Sequence, residues 1–225
     1  MFRDCDDWEE RFKELLPEIE EVPEDWYQVE EELNKTMMVW KFEPNNNQLA
    51  VAMASAYSLV TMREKRQLWT YPAGMGKSRI MVALILAVFK KAKKGKKMMC
   101  VFHNEATLMQ DKSVYDLLKH ILRRSKVTIE TVVGLELAIA KADSKTLLLL
   151  DEADHHLLDS ADSITTNLCQ KSFYGIIGLS ATFPNGMTTE YDELERDFNF
   201  KVLDSLVEPE DYSSFYGNLT LSEFL

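Results

Sequence analysis

The sequence has few of the features that mark a secreted, disulfide-bonded or membrane-spanning protein. Its three cysteines, Cys5, Cys100 and Cys169, are far apart and odd in number, which indicates neither a disulfide framework nor a zinc site. The apolar runs at 81–89 and 146–150 are much shorter than the roughly 20 residues of a membrane-spanning helix. The acidic N-terminus has no basic start followed by an apolar stretch, as a signal peptide would. We therefore expect no membrane span and an intracellular location, with the cytoplasm as the simplest compartment.

Acidic charge is concentrated at one end of the chain. The net charge is −11, and residues 1–33 alone contain 14 acidic and 3 basic side chains, whereas residues 34–225 contain 23 of each. An acidic protein is a poor partner for nucleic acid, because neutralisation of phosphates dominates such binding. The balanced remainder of the chain removes that objection, so nucleic acid stays open as a partner.

Composition and turn signals divide the chain into three segments. Residues 1–43 are predicted to be an acidic N-terminal extension with short amphipathic helices at 9–16 and 28–40, which could dock on its own domain or on a partner. Residues 44–207 are predicted to form the main domain. We expect residues 208–225 to be a linker or tail toward a second domain.

Strand-like and helix-like segments alternate through the main domain. Continuous apolar strands that alternate with helices are typical of an α/β fold, in which helices cover both faces of a parallel sheet. Strands are predicted at 67–71, 98–103, 127–133, 146–150, 174–179 and 200–203, and helices at 48–62, 77–91, 105–124, 135–142 and 163–171.

A glycine-containing segment between a predicted strand and a predicted helix has the composition of a phosphate-binding loop. The segment has the sequence Tyr-Pro-Ala-Gly-Met-Gly-Lys-Ser at 71–78, and its glycines let the backbone wrap closely around phosphate oxygens. Lys77 is predicted to contact the β- and γ-phosphates and Ser78 to ligate Mg²⁺. The alternative is a glycine-rich turn that caps a helix. The predicted nucleotide-binding residues of the loop are Ala73, Gly74, Met75, Gly76, Lys77, Ser78 and Arg79.

The strand at 146–150 runs directly into two acidic residues. Ligands of parallel-sheet proteins gather at the carboxyl ends of the strands, so Asp151 is predicted to hold Mg²⁺ and Glu152 to polarise the attacking water. A base for water favours hydrolysis, and Glu152 and Lys77 are therefore the predicted catalytic residues. The alternative is a solvated acidic turn. We interpret His155 and His156 as surface or coupling residues, because neighbouring residues on a helix point in different directions.

Another predicted strand ends in Ser180, Ala181 and Thr182. The two hydroxyl groups could form hydrogen bonds with the region of Asp151 and Asp154, and so report the state of the nucleotide. Asp154, Ser180, Ala181 and Thr182 are therefore predicted to couple the nucleotide site to the rest of the domain.

The three motifs together resemble motifs I, II and III of superfamily 2 helicases: Gly-x-Gly-Lys-Ser, the Asp-Glu-Ala-Asp (DEAD) box and Ser-Ala-Thr, in that order. The resemblance covers residues 48–207 and implies the first RecA-like domain of a P-loop motor, with ATP and Mg²⁺ as cofactors. It also implies that Gln48 reads adenine, although a glutamine at a helix start is just as typical of a surface cap.

Motors of this type work at the cleft between two RecA-like domains, and the second supplies arginine residues to the reaction. We therefore expect a second RecA-like domain or a partner subunit to complete the site, and weak ATP hydrolysis by this chain alone. A nucleotide-binding subunit without turnover is the alternative from another functional class.

Two further segments are similar to the bacterial protein-export motor ATPase. Residues 151–161 match its Asp-Glu-x-Asp-x-x-Leu-x-Asp-x-Ala pattern, and residues 104–111 echo its Asn-Asp…Asp segment. This similarity would imply an export-motor-like translocation ATPase domain. The Ser-Ala-Thr motif at 180–182 favours the helicases instead.

Overall fold

Six parallel strands form the central sheet among the residues that the computed structural model describes, which are 7–71, 76–91, 97–123, 127–157, 162–180, 194–196 and 198–204. The strand order across the sheet is β3-β2-β4-β5-β1-β6, and every pairing is parallel. The strands are β1 (Arg66–Thr70), β2 (Lys97–Phe102), β3 (Thr128–Val133), β4 (Thr146–Asp151), β5 (Gly175–Ser180) and β6 (Lys201–Asp204).

The helices cover both faces of this sheet. They are α1 (Trp8–Leu15), α2 (Glu24–Val39), α3 (Asn46–Tyr57), α4 (Lys77–Lys91), α5 (Glu105–Leu122), α6 (Leu135–Lys141), α7 (Ala153–Leu157) and α8 (Asp162–Gln170). In the described part of the chain, no helix is both long and apolar enough to cross a membrane. The observed architecture confirms the predicted α/β fold with a parallel sheet flanked by helices.

Three helices differ from the predicted ones. Helix α2 begins at Glu24, earlier than predicted, because Pro23 occupies the position before the first turn, where a missing N–H group has no cost. Helix α3 ends at Tyr57, and the predicted last turn at Ser58–Met62 is a π-helical turn that stops at Arg63 with a φ of 68°. The short helix α7 was not predicted as a separate element.

The side chains of each strand alternate between two apolar cores, one on each face of the sheet. Leu147 and Leu149 of β4 pack into the first core, whereas Leu148 and Leu150 pack into the second. Strand β4 is therefore buried on both faces, which explains its unbroken apolar sequence.

The acidic N-terminal helices belong to the first core. Phe12 of α1 and Trp26 of α2 are buried and lie against Tyr57 of α3, with ring-centroid distances of 5.6 and 5.3 Å. Lys91 at the end of α4 places its ammonium group 5.0 Å from the Trp26 ring centroid. Of the two expected arrangements, the structure shows docking on the chain's own domain. The domain boundary at residue 43 stays a prediction, and the tail at 208–225 lies outside the described residues.

Candidate functional site

The register of the sheet brings three strand ends to the same edge. Thr70 of β1 pairs with Ser180 of β5, and Asp151 of β4 pairs with Leu179 of β5. The Tyr71 backbone N–H donates to the Ser180 carbonyl oxygen at 2.7 Å. The segments that follow β1, β4 and β5 therefore begin side by side at the carboxyl edge, where parallel sheets place their ligands.

The two predicted catalytic residues, Lys77 and Glu152, contact each other at this edge. Lys77 begins α4, and its Nζ lies 2.5 Å from Oε1 of Glu152, which follows β4. The Lys77 side chain is only 10% exposed and that of Glu152 is 28% exposed. Glu152 also has a φ of 52°, in the left-handed region that non-glycine residues rarely adopt and that persists mainly at functional sites. The structure thus brings together two residues that are 75 positions apart in the sequence.

Ser78 makes a contact that the sequence analysis did not anticipate. Its Oγ donates a hydrogen bond to Oδ2 of Asp111 in α5, at a distance of 2.5 Å. In the sequence, the signal that points to Asp111 is its place at the end of the segment 104–111, which resembles the export motor. The hydroxyl group predicted to ligate Mg²⁺ is therefore oriented by a carboxylate from another helix.

Asp151 lies partly buried between these groups. Burial raises its pKa to about 6, the Lys77 charge opposes the rise, and the charges of Glu152 and Asp111 add to it. Three acidic side chains and one lysine thus share a small region. An excess of negative charge with low exposure favours a bound cation.

The donors at this edge fit Mg²⁺ held together with a phosphate group. Among the described residues, no group of three or more His, Cys, Asp or Glu side chains could hold a metal by itself. Mg²⁺ needs no such group, because it is usually held by one or two protein oxygen ligands plus phosphates and water. Ser78 and Asp151 supply oxygen donors of this kind.

Gln48 is both a helix cap and a neighbour of the phosphate-loop glycine. Its backbone N–H donates to Asn45 Oδ1 at 2.8 Å, and its Oε1 accepts from the Asn45 N–H at 3.0 Å, which forms a capping box. It is 4% exposed and therefore not a surface cap. Gly76 has a φ of 82°, and a Cβ atom there would lie 2.6 Å from Gln48 Nε2. Only glycine fits this position, and the adenine-reading role of Gln48 stays a prediction.

Arg79 lies on the same side of the loop as Gln48. Its guanidinium group lies 5.0 Å from the ring centroid of Phe42, just before α3. Its Nε is buried and, within the described part of the chain, has no hydrogen-bond partner. Phe42 was not selected from the sequence, because one aromatic residue in an extension carries no motif.

Some of the remaining predicted site residues lie in the part of the chain that the structure describes, and others lie outside it. Ser180 is fully buried at the end of β5, and Asp154 lies in the first turn of α7. His155 is exposed and stacks on His103 at 4.7 Å between ring centroids, whereas His156 is buried. The predicted residues that lie outside the described part of the chain are Ala73, Gly74, Met75, Ala181 and Thr182.

A search of solved structures found chains that partly superpose on this one. The yeast DEAD-box splicing factor Prp28 has a TM-score of 0.54 and 13% identity, over 83% of this chain and 50% of that one. The UvsW helicase of bacteriophage T4 has a TM-score of 0.48 and 14% identity, over 68% and 58% of the two chains. Dbp5 of S. cerevisiae, bound to Nup159, Gle1, IP6 and ADP, has a TM-score of 0.49 and 14% identity, over 84% and 60%. The chain thus spans between half and three-fifths of the length of these three structures.

The likeness to Prp28 shows a RecA-like α/β fold. No family model matches the sequence, and no curated protein matches it. None of the three structures supports the similarity to the export motor.

Proposed function

We propose that this chain is an ATP-binding and Mg²⁺-dependent ATP-hydrolysing domain of superfamily 2 helicase type. The observation that carries the proposal is the 2.5 Å contact between Lys77 and Glu152 at the carboxyl edge of the sheet, with Ser78 and Asp151 beside it. The fold shared with Prp28, a DEAD-box protein, supports the same conclusion.

Lys77 and the first turn of α4 bind the β- and γ-phosphates. The ammonium group and the N–H groups of the helix start both attract anions, and Lys77 is fixed in a mostly buried position. A phosphate oxygen that pairs with Lys77 competes with the carboxylate of Glu152. Nucleotide binding therefore releases Glu152 from its ion pair.

Glu152, once released, accepts a proton from the attacking water. A positioned general base contributes about 10²–10⁴-fold to such a reaction. Its backbone conformation turns the chain sharply at the end of β4, which holds the carboxylate at the sheet edge.

Ser78 and Asp151 would hold the metal in this proposal, and Asp111 orients the Ser78 hydroxyl group. The metal would neutralise charge on the phosphate oxygens. Asp151 must be ionised to bind a cation, and its raised pKa makes this binding weaker below about pH 6.

We place the base of the nucleotide on the side of the loop where Gln48 lies. The Nε2 atom of Gln48 lies beside Gly76, and Arg79, which packs on the Phe42 ring, is close to the same glycine. We assign adenine recognition to Gln48, with Arg79 as a further nucleotide contact. The buried Nε of Arg79 is a donor suited to a ligand oxygen.

A second RecA-like domain or a partner subunit completes the site in this proposal. We expect slow hydrolysis without it, because the arginine residues of the second lobe are worth about 10³–10⁵ in rate in related phosphoryl-transfer enzymes.

A second candidate is nucleotide binding without turnover. The observation that favours it is the same ion pair, since a Glu152 held by Lys77 cannot activate water. This chain would then act as a structural subunit of an assembly.

Parallel measurements of binding and phosphate release separate the two candidates. We expect the wild-type chain to release phosphate slowly from Mg²⁺–ATP, and Glu152→Gln to bind ATP while its turnover falls by about 10²-fold or more. Binding by the wild type without any release of phosphate would support the second candidate. Equal turnover by wild type and Glu152→Gln would overturn the role of Glu152.

A further inference from the structure

The N-terminal helix α1 reaches the nucleotide site through one side chain. Arg11 is only 11% exposed, and its Nε donates a hydrogen bond to Asn47 Oδ1 at 3.2 Å. Its Nη1 pairs with Glu14 Oε2 at 2.6 Å on the outer side of the helix. Asn47 lies in the first turn of α3, directly before Gln48.

Tyr71 joins the same cluster from the end of β1. The residue is 1% exposed, and burial raises its pKa to about 12 against the effect of the nearby Arg11 charge. Within the described part of the chain, the Tyr71 hydroxyl group has no hydrogen-bond partner. The phenol ring is therefore buried close to Arg11 and the first turn of α3 without a hydrogen bond to either.

The two residues that flank segment 72–75 of the predicted phosphate loop lie close to this cluster. Tyr71 is the residue before the segment, and Gly76, the residue after it, lies against Gln48 Nε2. Gln48, which follows Asn47 in the first turn of α3, is thus the contact between this cluster and the phosphate-loop glycine.

The placement of Arg11 is fixed by the packing of its own helix. Trp8 and Phe12, on either side of it, are buried, and Phe12 contacts Tyr57 of α3. Burial of a guanidinium group is unfavourable unless it is paired, and Glu14 alone would pair it equally well at the surface. We therefore infer that the inward hydrogen bond from Arg11 to Asn47 has a function beyond neutralising the guanidinium charge.

We propose that Arg11 is a positioning residue of the nucleotide site: through Asn47 it fixes the first turn of α3 and so orients Gln48, beside Gly76, to recognise an adenine nucleotide. The inference rests on the proposed ATP binding. It makes α1 a functional part of the site and not only a packed helix.

The test compares the full-length wild type with Arg11→Met, Arg11→Lys and the control Lys13→Met. Lys13 lies on the same helix, is 37% exposed and forms an ion pair with Glu9 at 2.8 Å, so its replacement removes a charge of the same sign. Dissociation constants are measured for Mg²⁺–ATP and Mg²⁺–GTP with fluorescent analogues, and thermal unfolding is recorded for each variant.

We expect Arg11→Met to weaken ATP binding about threefold to tenfold, the scale of one ordinary hydrogen bond, because Arg11 acts on the nucleotide only through Asn47 and Gln48. GTP binding should change less, so the preference for ATP over GTP falls. Lys13→Met should keep both affinities. Arg11→Lys keeps the charge without the Nε donor, so a smaller loss of preference is expected, and this variant serves if Arg11→Met does not fold.

A double-mutant cycle with Gln48→Ala tests whether Arg11 acts on the nucleotide through Gln48. If Arg11 acts through Gln48, the double variant Arg11→Met/Gln48→Ala binds ATP no more weakly than Gln48→Ala alone. An unchanged ATP preference in Arg11→Met and Arg11→Lys, with only a lower melting temperature, would show a purely structural role and overturn the inference. A wild type that binds neither nucleotide would instead refute the proposed function.

Discussion

Charged side chains are arranged in opposite ways in the N-terminal helices and at the carboxyl edge of the sheet. On α2, Glu31 and Lys35 form an ion pair in which both side chains are more than 60% exposed. At the sheet edge, Lys77 and Glu152 form their pair at 10% and 28% exposure, next to the buried carboxyl group of Asp151.

This difference separates charges that the fold tolerates from charges that a ligand requires. An exposed pair contributes about 0.2–1 kcal/mol and costs little to solvate. Like charges in a mostly buried cluster oppose folding, so such a cluster indicates a ligand-binding role and not a contribution to stability. The inner face of the N-terminal helices, by contrast, is apolar and should stabilise the whole domain.

The largest expected effect comes from that inner face. Phe12 is completely buried, and Phe12→Ala should lower the free energy of unfolding by about 3–5 kcal/mol, because it leaves a cavity in the core shared by α1 and α3. Met38 is 61% exposed, and Met38→Ala is the matched control, with an expected change below about 0.5 kcal/mol. Urea unfolding of both variants checks this. A small loss for Phe12→Ala would mean that the N-terminal helices are a separable extension.

The next largest effect is expected at the sheet edge, where a substitution should raise the free energy of unfolding instead of lowering it. The folded-state pKa of Asp151 is raised from 3.8 to about 6, so its ionised form destabilises the fold above that range, and this cost disappears as pH falls from about 6 to 4. Asp151→Asn should therefore raise the free energy of unfolding by about 1–3 kcal/mol at pH 8 and by much less at pH 4.

Urea unfolding of wild type and Asp151→Asn at several pH values measures this difference. Asp143 is an exposed acidic residue whose pKa is lowered by hydrogen bonds to Lys145 and Thr146, so Asp143→Asn should destabilise the fold and is the control of opposite sign. A difference between Asp151→Asn and wild type that does not vary with pH would contradict the burial argument.

The smallest effect is expected at the exposed pair. Lys35→Met removes the contact with Glu31 and should change the free energy of unfolding by no more than about 0.5 kcal/mol, with no change in nucleotide affinity. A loss clearly greater than the roughly 1 kcal/mol that exposed ion pairs contribute at most would show that the acidic surface is organised more tightly than this comparison assumes.

The sequence was sufficient to predict the strands and most of the helices, and it assigned Lys77 and Glu152 to one site, but it did not predict the direct contact between their side chains. Apolar periodicity locates strands and helices, and the rule that parallel strands end at one edge brings Asp151 and Ser180 toward the loop. ATP binding itself stays a proposal, since the structural likeness shows the fold alone.

Contacts between distant helices could not be predicted in this way. The hydrogen bonds of Ser78 with Asp111 and of Arg11 with Asn47 join residues 33 and 36 positions apart, on helices whose relative placement depends on core packing. The left-handed backbone of Glu152 also has no local signal, because glutamate is not a residue that favours it.

Calorimetric titration of the chain with Mg²⁺–ATP tests the central claim most directly. The account predicts saturable binding of one nucleotide by the wild type, and binding by Lys77→Met that is weaker by about 10²-fold or more, because a charge-assisted contact with phosphate is lost. Equal binding by the two proteins, or no binding by the folded wild type, would contradict the account.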